Sequence, residues 1–160
     1  MSKAFTKEDD LAEPDIVRRP PAFDSLHLTR QGAERLRSEL REFESERRKI
    51  VSADAGSLRL HELNRRVGEI QQTLALAQIV DISGNDDIVC FGAEVTVRSA
   101  SDGEESRYRI VGLAEADAAR GRISSASPLA QALLNHKVGE RVPFKYPAGE
   151  DTLEILKVSY

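Results

Sequence analysis

The sequence predicts an α+β protein: an N-terminal antiparallel helical hairpin, a coiled coil, followed by a small antiparallel sheet domain with one helix. Three observations predict it. Apolar residues recur with heptad spacing in two stretches separated by a short turn-forming cluster. Beyond residue 80 the apolar period changes to two, the period of a half-buried strand. No third or fourth amphipathic helix is present to complete a bundle, so the hairpin joins a different kind of body.

Residues 1–28 read as a flexible, largely disordered N-terminal tail with Pro14, Pro20 and Pro21, 4 basic and 6 acidic residues and little periodic apolar content. Residues 29–80 form the hairpin. Thr29 is a good N-cap, because its hydroxyl can accept from a first-turn N–H. Leu36, Leu40, Phe43 and Ile50 then step along one face, with Arg47 at the skipped position. Ser52 to Ser57 is small and turn-prone. Leu60, Leu63, Val67, Ile70, Leu74 and Ala77 make the second seam. Neither stripe stays dry alone, so the two helices pair. Each is expected to run some 22–25 residues, about 33–37 Å at 1.5 Å per residue.

Residues 81–160 form the sheet domain. Ala93 to Arg98 and Tyr108 to Val111 read as strands, with Asp102-Gly103 as the hairpin turn. Arg141–Tyr146 and Thr152–Val158 are two more, joined by a turn at Pro147–Asp151. Pro143 suits an edge strand, where its missing donor faces no neighbour. Ser127-Pro128 opens a short helix through Leu134, with serine as cap and proline at the first position.

Composition narrows the function. The chain has 160 residues, 40% apolar and 31% charged, with a net charge of −4. That disfavours a generally basic nucleic-acid coat, since duplex binding draws heavily on phosphate neutralisation. Aromatics are 5% and Trp is absent, which argues against a large aromatic cleft or a base-stacking platform. Cys90 is the one cysteine and reads as a buried apolar residue in a strand. His27, His61 and His136 share no ligand spacing, so no metal or other cofactor is expected. The hairpin carries 10 basic and 8 acidic residues and the sheet domain 9 and 13, which polarises the chain. No apolar run is long enough to span a membrane, and a cytoplasmic monomer that is not itself an enzyme is the expectation.

Several ordered stretches are similar to one family. Val89-Cys90-Phe91-Gly92-Ala93-Glu94-Val95-Thr96-Val97, Tyr108-Arg109-Ile110-Val111-Gly112, Glu115-Ala116-Asp117, Gly121-Arg122-Ile123-Ser124 and Ser127-Pro128-Leu129-Ala130-Gln131-Ala132-Leu133-Leu134 resemble the C-terminal domain of the bacterial GreA/GreB transcript-cleavage factors. Val138-Gly139-Glu140, Pro147-Ala148-Gly149-Glu150 and Glu154 to Tyr160 continue the match, and Leu28 to Leu36 resembles the start of the family's coiled coil. The opening Met1 to Glu8 is similar to GreB-like tails. The resemblance implies a helical hairpin on an FKBP-like domain. It implies docking of that domain at the rim of the RNA polymerase secondary channel, with the hairpin inside the pore. Ser127, Pro128 and Leu129 would lie at the rim contact, with Ala126 where members often carry Asp or Asn.

In the cleaving members an Asp and a Glu at the hairpin tip help to hold a second Mg²⁺, as hard oxygen ligands do. Nothing between Arg47 and Arg66 resembles that motif. Only 16 residues separate Arg48 from Arg65, where cleaving members have about 20 more. Losing that many takes about 15 Å from the reach of the arm. No catalytic residue is carried over, and a Gre-family member that regulates transcription without stimulating cleavage is expected. A shortened coiled coil also resembles Rnk, which leaves a regulator of another protein partner as an alternative. A weak cleavage factor using Asp54 or Glu62 is a further one. Arg47, Arg48 and Lys49, extended by Arg65 and Arg66, form a basic hairpin patch suited to polymerase acids or nascent RNA phosphates.

Overall fold

The computed structural model describes residues 26–51, 58–81 and 87–160. Most of the predicted tail, the turn cluster with Asp54, and residues 82–86 lie outside the described residues.

The hairpin forms from the two seams. Helix α1 (Arg30–Val51) begins where the Thr29 hydroxyl accepts from the Gly32 N–H at 2.9 Å, the expected cap. Helix α2 (Leu58–Leu76) packs against α1. Leu36, Leu60, Leu63, Val67 and Ile70 are buried, and Leu40, Phe43, Leu74 and Ala77 pack at the margin of the core near the base. Arg47 at the skipped seam position is half-buried.

At 19 residues α2 is shorter than expected. A two-stranded parallel sheet at the base accounts for this. Strand β1 (His27–Thr29) pairs with β2 (Gln78–Val80) in register Leu28 to Ile79, and the Gln78 N–H donates to the Leu26 carbonyl at 2.8 Å. Those bonds draw Gln78–Val80 out of the helix, although Ala77 still packs on the seam as predicted. The parallel pair requires a long crossover between its strands, and the hairpin itself is that crossover. β1 takes His27 and Leu28 from the end of the segment read as a tail.

The second body is a five-stranded sheet. Strands β3 (Glu94–Ser99), β4 (Glu105–Val111), β5 (Arg122–Ser124), β6 (Arg141–Tyr146) and β7 (Gly149–Ser159) lie in the order β5-β4-β3-β7-β6. All neighbours are antiparallel except β4 and β5. The short parallel β5 was not evident in the sequence. Pro143 sits on the edge strand β6, as its missing N–H requires. The pairing of β3 with β7 slips by one residue between Thr96 and Val97, a bulge that adds bend and twist. Helix α3 (Pro128–Leu133) touches both edge strands, β5 and β6, so the sheet curls around it. The core lies between: Val95, Val97, Ile110, Val142, Ile155 and Val158 from the sheet, Ala130, Leu133 and Leu134 from the helix and its end.

Two local expectations change. The β6–β7 turn is confined to Pro147-Ala148, since Tyr146 already pairs with Gly149. Cys90 is half-exposed and lies outside the strands, because its neighbours Val89 and Phe91 take the buried positions. No described helix is long and apolar enough to cross a membrane.

Candidate functional site

Helix α3 covers only part of the curled sheet. The uncovered part is a groove of about 310 Å³. Val97 on β3, Tyr108 on β4, Leu153 on β7 and Leu129 on α3 line it and belong to the core cluster or pack on it, so its floor is the core laid open. Phe144 and Tyr146 form one wall. They are two residues apart on β6 and therefore project from the same face. Their rings stack with centroids 5.8 Å apart.

The rim at one end is acidic. The Ser99 hydroxyl donates to the Asp151 carboxylate at 2.7 Å, and this bond holds the Asp151 carboxyl below the usual carboxylate range. The Glu104 N–H donates to Asp102 at 2.9 Å and holds that carboxyl down as well. Both therefore stay anionic to a lower pH than free carboxylates. An apolar floor with aromatic walls and an anionic rim suits an apolar protein segment flanked by a cation.

Of the three residues expected at a partner contact, Leu129 lines this groove and the other two stand beside it. Ser127 caps α3, its hydroxyl accepting from the Ala130 N–H at 3.2 Å. Pro128 is exposed at the first helical position. Ser127→Ala is expected to cost about 1 kcal/mol and to lower the Tm by roughly 2–4 °C, measured by thermal unfolding. Sequence reasoning missed Tyr108, Phe144 and Tyr146. The available signal was the i, i+2 pair of aromatics on a predicted edge strand, which counting aromatics over the whole chain conceals.

Arg47 and Arg48 line a shallow depression with Leu60 and Asn64. Arg65 is tied to Glu69 at 2.6 Å, and Arg66 reaches across to Glu39 at 3.1 Å. Arg59 pairs with Glu46 on α1 and with Glu62 on its own helix, so Glu62 already has a cationic neighbour. Arg48 and Lys49 are exposed near the far end of α1. Among the described residues no three His, Cys, Asp or Glu side chains gather as metal ligands would.

The junction of the two bodies holds one buried acid. Glu115 ends a short 3-10 turn (Leu113–Glu115) after β4, and its side chain is 1% exposed. It accepts from the Thr29 N–H and the Thr29 hydroxyl, both at 2.7 Å, and Arg35 approaches at 3.4 Å. The carboxylate thus sits at the N-terminus of α1, where the helix dipole favours negative charge. Gly32 makes room for it: a Cβ there would lie 1.7 Å from Glu115 Oε1. At Gly112 a Cβ would lie 1.8 Å from the His27 carbonyl oxygen, so β1 also rests directly on the globule's backbone.

A paired helical arm set on a curled sheet, with an open groove on the sheet's concave face, defines an arm-and-platform protein. The family model described as "Transcription elongation factor, GreA/GreB, C-term" matches residues 84–160. The transcription elongation factor GreA of Trichlorobacter lovleyi is 35% identical over 155 aligned positions, which take in 86% of this chain and 98% of that protein. The GreB of Xanthomonas axonopodis pv. citri is 38% identical over 161 positions, covering 89% of this chain and 96% of its own. A solved GreA/GreB structure from Nitrosomonas europaea is 24% identical with a TM-score of 0.44, over 84% of this chain and 97% of that one. The chain belongs to the GreA/GreB family of transcription elongation factors.

Proposed function

We propose that this protein docks on bacterial RNA polymerase through the groove of its C-terminal globule, at the rim of the secondary channel. There it holds a short hairpin in the channel without stimulating transcript cleavage. Residues 81–160 are then the docking domain and 29–80 the arm. The observation that carries this reading is an open docking groove on a Gre-family globule whose arm has only 16 residues between Arg48 and Arg65. The helices, 22 and 19 residues, correspond to about 33 and 28 Å. The alignment lengths support a short arm. The match to the Trichlorobacter protein runs over 155 positions but uses 86% of 160 residues, about 138, so about 17 positions have no counterpart here.

Shortness decides the chemistry because metal ligation tolerates errors of only tenths of an ångström. An arm short by about 15 Å cannot bring carboxylates to a metal at the channel's inner end. The protein would act by occupying the channel and competing with longer relatives, as a cytoplasmic monomer. Ser127 and Pro128 would flank the rim contact, with Leu129 inside the groove. Arg47, Arg48 and Lys49, extended by Arg65 and Arg66, would meet polymerase acids or nascent RNA phosphates.

The test is a backtracked elongation complex supplied with Mg²⁺ and a saturating amount of the protein. No release of 3′ RNA fragments above background is expected, together with slower cleavage when a cleaving relative is added. Prompt fragment release would overturn the non-cleaving reading; its loss in Asp54→Ala or Glu62→Ala would assign the cleavage to those acids. A pull-down from bacterial lysate should recover polymerase subunits. Recovery of a different protein in their place would favour the Rnk-like alternative.

A further inference from the structure

Resting on that reading, we propose that Glu115 is a positioning residue: through Thr29 it sets the direction in which the hairpin leaves the globule, and hence whether a docked protein points its arm into the channel.

The junction is narrow. β1 bridges the two bodies, meeting α1 and β2 on one side and β4 and the Leu113–Glu115 turn on the other. A cavity of about 530 Å³ opens beside Glu115 between the base of α1 and the globule, with Arg35 and Leu36 on one side and Ala116 and Arg120 on the other. That space leaves the arm room to tilt. Opposing the tilt are an exposed bond from Arg109 to Gln31 at 2.7 Å and the buried bonds of Glu115.

The buried bonds carry direction as well as strength. One Thr29 hydroxyl donates to Glu115 while accepting from the Gly32 N–H. One carboxylate takes both the N–H and the hydroxyl of Thr29. The N-cap of α1 is therefore bonded to the globule at two atoms of one residue, which fixes rotation as well as separation. Bonds to an ionised acceptor in a site closed to water are strong and geometrically narrow. Gly32 lets the carboxylate approach the helix axis, and Gly112 lets β1 lie on the globule.

The experiment uses the full chain with Cys90→Ser and spin labels on Arg48→Cys, near the far end of α1, and Ser101→Cys, on the β3–β4 turn. Distances are read by pulsed dipolar spectroscopy without polymerase. The native junction should give one narrow distance distribution, and Thr29→Ser, which keeps the hydroxyl, should preserve it. Gly32→Ala and Glu115→Gln should broaden or shift it while far-UV circular dichroism stays native. If Gly32→Ala fails to fold, Glu115→Gln and Thr29→Val decide.

Bound to polymerase, Glu115→Gln should keep its docking affinity within about threefold, because the groove is intact, and lose about tenfold in competition against a cleaving relative. An unchanged distance distribution in Glu115→Gln and Thr29→Val would overturn the proposal. So would a competition loss matched by an equal docking loss. If the native protein failed to bind polymerase, the functional reading would fall, while the distance measurement would still decide what Glu115 does.

Discussion

Glu115→Ala is expected to lower the stability of the protein by about 3 kcal/mol. At the usual scaling for a chain of this size, that is a fall in Tm of roughly 6–12 °C. The cost does not come from the pairing with Arg35, whose side chain is 47% exposed and returns to water. It comes from Thr29, which is 3% exposed. Without the carboxylate its N–H and hydroxyl proton lose the one side chain that accepts from both. Glu115→Gln should cost less, about 1 kcal/mol, because the amide oxygen still accepts one of the two bonds. Thr29→Val removes the hydroxyl from the other side of the same bond. The double variant should therefore be less damaging than the two single losses added together, with about 1 kcal/mol or more of coupling. Denaturant unfolding of the four proteins measures this. Additive losses would mean that the two residues stabilise the fold separately.

The sequence carried the two bodies and concealed the joint between them. The heptad seams predicted α1 and α2 because burial on one face imposes a period that a local reading detects. Ser127-Pro128 predicted the start of α3 because a cap and a pre-set φ are local chemistry. β1, β2 and β5 are three residues each, too short for alternation to register, and each depends on a partner distant in sequence. Glu115 reads as one more acid in Leu113-Ala114-Glu115-Ala116-Asp117. Only the fold brings it 86 residues back to Thr29. Gly32 shows the same effect. In sequence it is a poor helix former in the first turn of α1, and its role appears once the carboxylate occupies the space a side chain would fill. In the groove, Leu129 entered through the stretch that resembles the family, whereas Tyr108 and Phe144 line it from strands whose order no single stretch encodes.

The groove assignment makes the larger functional prediction. Tyr146→Ala is expected to weaken docking on polymerase about tenfold, and Tyr146→Ala combined with Phe144→Leu about thirtyfold, or 2 kcal/mol. Tyr146 is 41% exposed, so its removal takes little from the fold. Phe144 packs on the core, and leucine retains most of that contact while abolishing the stacked pair. An aromatic wall is costly to lose because it desolvates a large, rigid area against the partner with few rotamers to freeze. Asp151→Asn should act differently. It removes charge from an exposed rim, so its effect should appear mainly in the association rate and shrink as salt rises. Arg48→Glu on the hairpin should leave docking within about threefold, since a single exposed charge contributes little to affinity. Binding kinetics on immobilised polymerase at two salt concentrations separate these effects. If Arg48→Glu abolished binding while Tyr146→Ala did not, the arm rather than the globule would hold the protein on its partner, and the short hairpin would have to be the docking element itself.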